Sequence, residues 1–247
     1  MAKVAIVTGG ARGIGRGCAH ALARKGLDIA LVDMLAPEME RTAGELRAMG
    51  RVARIYEADV AVHARAAEVV RAVHVDFGRI DVLVNNAGRG NPKGILEISE
   101  EEFDRTIAVN LKSCFNFIQP VVPIMQAAGA GRIISMSSLN AFTGGVTSAV
   151  SKFSYGAAKA GILGMTRALA KELGPAIAVN AICPGVIETE LGNSLTKARG
   201  PELMKGIVLG RLGTPADVGE LVAFLATVEP NFMTGQAFVI DGFQWVI

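Results

Sequence analysis

Tyr155 and Lys159 stand four residues apart in SYGAAK, and Ser138 precedes the tyrosine by seventeen positions. Side chains four apart on a helix share one face, a turn from each other. A phenol in water titrates near ~10, so a tyrosine acting at neutral pH needs a neighbouring cation that favours its phenolate. The lysine supplies that cation. Such a pair can take a proton from an alcohol, or return one to a carbonyl oxygen. Ser138, closing GRIISMSS, can hydrogen-bond the same oxygen only if the fold brings the end of that segment to the start of the tyrosine helix.

Short β-type runs alternate with helix-length segments along the whole chain. The runs are 3–8, 28–33, 52–59, 81–86, 132–138, 176–182 and 237–241, and most are continuously apolar, as in strands buried on both faces. The alternation predicts one α/β domain, a doubly wound sheet of about seven parallel strands with helices on both faces. Pro120 and Pro123 predict a kink or early stop in the helical segment that begins at Phe103. The irregular stretch 187–213 predicts a substrate lid. Ser138 sits at the C-terminal end of its strand, where such sheets assemble their sites, and Ser137 is expected to face the opposite way. Ser148 and Ser151 fall in a loop.

The first strand runs into Thr8-Gly9-Gly10-Ala11-Arg12-Gly13-Ile14-Gly15 and then a helix. Glycines at this junction let the chain turn tightly and let a pyrophosphate approach the free N–H groups of the helix N-terminus. Asp33 ends the second strand, eighteen residues after Gly15. A carboxylate there can accept both ribose hydroxyls of an adenosine and repels a 2′-phosphate. Arg12 pulls the other way, since a guanidinium can bind that phosphate. The balance favours NAD, with NADP possible.

Hydrophobic residues make up 51% of the 247 residues and charged ones 19%, enough for a core on both faces of a sheet. A net charge of +2 without a basic run gives no case for nucleic acid. Every long apolar stretch is broken well short of the ~18 residues of a membrane span. The N-terminal segment lacks a secretory layout, and the three scattered cysteines read as buried thiols of a cytoplasmic protein. His20, His63 and His74 lack the spacing of a metal site.

These motifs together resemble the short-chain dehydrogenase/reductase family over essentially the whole chain. TGGARGIG resembles its cofactor turn, carried by Gly9, Arg12, Gly13, Ile14 and Gly15. Asp59-Val60 is similar to the pair that touches the adenine, and Asn85-Asn86-Ala87-Gly88 to the NNAG motif. CPGVIET resembles the nicotinamide-side loop through Pro184, Gly185, Ile187 and Thr189. The resemblance implies a single Rossmann-type domain and a catalytic group of Asn110, Ser138, Tyr155 and Lys159. In that group Lys159 also holds the nicotinamide ribose and Asn110 positions a water. It implies a homotetramer or dimer as well, with helices at about 102–127 and 154–173 paired across a dyad. Ala157, Ala158, Gly161 and Gly164 would permit their close approach.

Two departures stand out. Typical members place the serine closer to the tyrosine, and the extra residues here fall in the 139–154 loop, where added length costs little. Phe243 replaces a glycine common in relatives and is expected to pack near the pocket or at a subunit contact. The expected activity is interconversion of a secondary alcohol and a ketone on a small polar substrate. Arg89 and Lys93, with Asn91 and Asn140, suggest a polar or anionic one. A 3-oxoacyl-[acyl-carrier-protein] reductase is the alternative, but segments 126–131 and 174–177, where such enzymes place basic docking residues, hold no Lys or Arg. A non-catalytic dinucleotide sensor would have no need for all four catalytic positions.

Overall fold

The structure is a computed structural model that describes residues 1–145, 151–190, 200 and 203–244. Seven strands form one sheet: β1 (Val4–Thr8), β2 (Asp28–Asp33), β3 (Ala53–Glu57), β4 (Val82–Asn85), β5 (Gly131–Met136), β6 (Ile177–Pro184) and β7 (Ala237–Ile240). All pairings are parallel, in the order β3-β2-β1-β4-β5-β6-β7. The helices around it include α1 (Gly13–Arg24), α2 (Ala36–Ala48), α3 (His63–Phe77), α4 (Glu100–Ile107), α5 (Ser113–Ala127), α6 (Asn140–Thr143), α7 (Phe153–Leu173) and α8 (Pro215–Thr227).

The pleat explains the unbroken apolar strands. Val4 and Ile6 of β1, with Ala30 and Val32 of β2, join a core with Val70, Phe117 and Ile162 from α3, α5 and α7. Their neighbours Ala5, Val7, Ile29 and Leu31 point the other way, into a core with Leu22, Met39 and Val222 from α1, α2 and α8. On that second face α1 meets α8 backbone to backbone. A methyl group on Gly17 would lie 2.4 Å from the Pro215 carbonyl oxygen, and one on Gly219 2.5 Å from that of Gly17.

Strand order reverses between β1 and β4, which places a crevice at their C-terminal ends. The glycine turn follows β1, and Asn86–Gly88 follow β4.

The prolines do not act as expected: α5 runs from Ser113 to Ala127 through both. Pro123 faces solvent, while Phe117, Val121 and Met125 on the opposite side are fully buried and hold the helix against the sheet. The break comes earlier, where Ala108–Lys112 winds as a π turn between α4 and α5. Cys18, Cys114 and Cys183 are free and buried, and burial pushes the Cys18 thiol up to about 12. Among the described residues no helix is long and apolar enough to cross a membrane. Ser148 lies outside the described residues, as do 191–199 and 201–202 of the stretch expected to form a lid; Ile187 and Gly213, at its two ends, are joined by a parallel bridge.

Candidate active site

Thr8 ties the two central strand ends together. Its hydroxyl accepts from the amides of Asn86 and Ala87 at 3.0 and 3.1 Å, and Asn86 Nδ2 donates to the Thr8 and Gly9 carbonyls at 2.9 and 3.2 Å. Gly9 turns there with φ +65°, and a side chain on it would strike Asn86 at 2.8 Å. A methyl group on Gly15 would lie 2.0 Å from the Gly9 carbonyl oxygen, so this glycine closes the turn against α1 and does not line the cleft.

A cleft of about 1040 Å³ runs from this turn across the sheet edge. Gly9, Arg12, Gly13, Ile14, Asp33, Asp59, Val60, Asn86, Ala87, Gly88, Pro184, Gly185, Ile187 and Thr189 all line it, together with Asn110, Ser138, Tyr155 and Lys159. Asp33 accepts from the amides of Ala11 at 3.2 Å, Met34 at 2.8 Å and Leu35 at 3.3 Å, which fixes the second strand end to the glycine turn. Asp59 pairs with Arg105 at 2.9 Å, and the Val60 carbonyl accepts from Asn116 at 2.8 Å. The helix α1 starts at Gly13 with no side-chain cap and no acid in its first turn, whereas α4 and α8 both begin with full capping boxes. Amides at a helix N-terminus without an N-cap side chain of its own, with an accepting carboxylate at the end of β2, form a set of donors and acceptors suited to an adenine dinucleotide.

Lys159 is only 3% exposed, yet among the described residues it has no acidic partner. Its Nζ donates to the Met136 carbonyl at 2.7 Å and lies 5.5 Å from the centre of the Tyr155 ring. A methyl group on Gly88 would come within 3.4 Å of that nitrogen and 2.8 Å of Asn110 Oδ1, so the glycine leaves room for both. Asn110, fully buried in the π turn, grips the backbone of Arg89 on both sides. Its Oδ1 accepts from the Arg89 amide at 3.0 Å, and its Nδ2 donates to the Arg89 and Thr106 carbonyls at 2.8 and 2.9 Å.

The two serines both line the cleft but take different partners. Ser137 is buried and donates to the Lys159 carbonyl at 2.8 Å, which pins the end of β5 to α7. Ser138 lies beside it in the cleft, its hydroxyl accepting from the Asn140 amide at 3.2 Å. Ser151 also lines the cleft; its hydroxyl fills the space that a side chain on Gly90 would take.

Of the four polar residues read as substrate contacts, Arg89, Asn91 and Lys93 line the cleft, the last two with protein partners as well. Lys93 pairs with Glu102 at 2.6 Å, Asn91 donates to Thr106 at 3.0 Å, and Asn140 starts α6 outside this cleft. Arg89 lines the cleft and pairs with no acid among the described residues. Phe243 is 63% exposed at φ +61° and does not line the cleft. Thr8, Ser137 and Glu190, whose carboxylate reaches the Gly13 amide at 3.1 Å, are site residues that spacing did not single out. Thr8 carried a signal, as the first letter of the glycine motif.

Comparison with known proteins finds a family model and oxidoreductases of the same fold. The family model described as enoyl-(acyl carrier protein) reductase matches residues 9–242. The oxidoreductase UcpA of Escherichia coli K12 is 39% identical over 249 residues, covering 97% of this chain and 93% of its own. The 3-oxoacyl-[acyl-carrier-protein] reductase FabG of Thermotoga maritima is 37% identical, covering 97% and 96%. The crystal structure of an NADPH-dependent 3-quinuclidinone reductase from Rhodotorula rubra superposes with a TM-score of 0.90 at 33% identity, covering 98% of this chain and 91% of its own.

The Asn110 clamp generates a test. Asn110→Ala leaves the Arg89 and Thr106 backbone groups without buried partners, each costing on the order of 1–3 kcal/mol. Hydrogen exchange across 88–93 should speed up by at least tenfold, while exchange in β1 and β2 stays as in the parent. Unchanged exchange in 88–93 would mean that Asn110 does not hold this loop.

Proposed function

The chain belongs to the short-chain dehydrogenase/reductase family and is an oxidoreductase, and from that premise we propose that it interconverts a secondary alcohol and a ketone of a small polar substrate, using NAD(H). The observation that carries the reading is the buried Lys159 one helical turn from Tyr155, in one cleft with Ser138 and Asn110.

Tyr155 takes the alcohol proton in the oxidation and gives a proton to the carbonyl oxygen in the reduction. Lys159 has three N–H donors, one of them held by the Met136 carbonyl. The others serve the nicotinamide ribose, and the ammonium stands 5.5 Å from the centre of the Tyr155 ring. Ser138 donates to the substrate oxygen, and Asn110 holds the wall behind Lys159 and positions a water. Hydride exchange is the chemistry that the bound nicotinamide supplies. Gly9, Gly13, Ile14 and Thr189 hold the pyrophosphate, Gly15 keeps that turn tight, and Asp59 and Val60 lie along the adenine. Asn86, Ala87, Gly88, Pro184, Gly185 and Ile187 wall the nicotinamide end. Arg89, which lines the cleft and has no acidic partner among the described residues, meets a polar or anionic group of the substrate.

Cofactor choice turns on Asp33 and Arg12. The Rhodotorula reductase is NADPH-dependent by name, but Asp33 presents a carboxylate at the end of β2 in this chain, where it repels a 2′-phosphate. The FabG relative favours a second reading, reduction of a 3-oxoacyl carrier protein. Against it, 126–131 and 174–177 offer no cation for an acidic carrier.

For assembly we propose a homotetramer or dimer built on α4–α5 and α7. Phe153, Ala157, Ala160, Gly164 and Ala168 make an exposed stripe of mostly small residues along α7. Ala158 is buried and Gly161 packs against Leu111, so these two act within the chain and not across a dyad.

Three outcomes check these proposals. Tyr155→Phe should lower turnover by at least ~10² with dinucleotide binding retained, and Ser138→Ala by a similar factor, while Ser151→Ala mainly raises KM. Loss of chemistry in the Ser151 variant alone would move the oxygen-binding role to the loop. Asp33→Ala should narrow the preference of kcat/KM for NAD over NADP, and a parent enzyme that already prefers NADP would contradict the weight placed on Asp33. Light scattering at micromolar concentration should report an oligomer; a monomer would contradict the pairing.

A further inference from the structure

The positive end of α1 already meets an anion from within the chain. Glu190 Oε2 accepts from the Gly13 amide at 3.1 Å, and its Oε1 lies 3.8 Å from Arg16 Nη1. Thr189, one residue earlier, lies against Gly13: a methyl group there would touch it at 3.5 Å. Helix α1 has no cap of its own, so this carboxylate is the group that satisfies its first amide. The same amide belongs to the glycine turn to which a dinucleotide would bring its pyrophosphate. One N–H cannot serve both acceptors well, and two anions at one helix end repel each other.

We propose that Glu190 is an internal stand-in for the cofactor's phosphate: its carboxylate occupies the Gly13 amide until a dinucleotide displaces it, and so sets cofactor affinity. The inference rests on the dinucleotide reading above and adds a residue to it. Displacement is easy because the Glu190 side chain is 51% exposed and can turn into water. Arg16 remains beside it, held in place by Glu45 at 3.0 and 2.5 Å, and can receive the released carboxylate. The contact joins positions 177 residues apart, so occupation of the glycine turn is felt at the start of the segment that follows β6. Cofactor therefore binds more weakly than the turn alone would allow, and leaves more readily, which favours turnover when release is slow.

The test measures binding and not activity. Parent, Glu190→Gln and Glu190→Ala are titrated with NADH (or NADPH, whichever the parent prefers), ADP-ribose and adenosine by calorimetry. Glu190→Ala should bind the dinucleotide and ADP-ribose about three- to tenfold more tightly than the parent. Glu190→Gln, which keeps a neutral acceptor, should fall between them, and adenosine, which lacks phosphate, should bind all three alike. Unchanged or weaker dinucleotide binding by Glu190→Ala overturns the proposal, as does an equal gain for adenosine. If the parent binds neither NADH nor NADPH, the dinucleotide reading falls with it, an outcome distinct from a parent that binds and variants that show no gain.

Discussion

A lysine ammonium buried with no carboxylate beside it among the described residues is the constraint around which the rest is arranged. Taking a charge out of water is costly unless neighbouring groups replace its solvation. Here one carbonyl, that of Met136 at the end of β5, does part of that work. Nothing in the packing of the two cores requires a cation at this point. The arrangement makes sense as a charge held ready for the Tyr155 oxygen and for a ligand's hydroxyls.

Much of the surrounding sequence follows from keeping that ammonium in place. Ser137 fixes α7 to β5 at Lys159 itself, through the carbonyl of that residue. Gly88 lacks a side chain because Lys159 and Asn110 fill the space from two sides. Asn110 reaches Arg89 from a π turn, a local widening that interrupts the run from α4 to α5 beside the cleft. At the other end of the cleft, Thr8 and Gly15 lock the glycine turn against β4 and α1. The glycine turn and the Lys159 group thus stand at the ends of neighbouring parallel strands, β1, β4 and β5, so their separation follows from sheet geometry.

Much of this was legible in the sequence because strands buried on both faces produce unbroken apolar runs, and all seven runs became strands. The choice of Ser138 followed from strand position, and its neighbour Ser137 turned to α7 as the pleat requires. What was not legible came from tertiary contacts. Pro120 and Pro123 carry a strong local signal for a break, yet the buried face of α5 holds the helix through both. No residue pattern announces the π turn. Asn91 and Lys93 look free in the sequence, and only folding brings them to Thr106 and Glu102. The Glu190 contact with Gly13 spans most of the chain and has no local signature.

Lys159→Met tests the central claim most directly, by comparing thermal stability with turnover in one variant. If the ammonium is held for chemistry, replacing it with an apolar side chain of similar length removes a desolvated charge. The melting temperature should then stay within a few degrees of the parent or rise, while turnover falls by at least ~10². A variant that keeps its turnover, or one that unfolds so that activity merely follows the folded fraction, would show that Lys159 serves the fold and not the reaction.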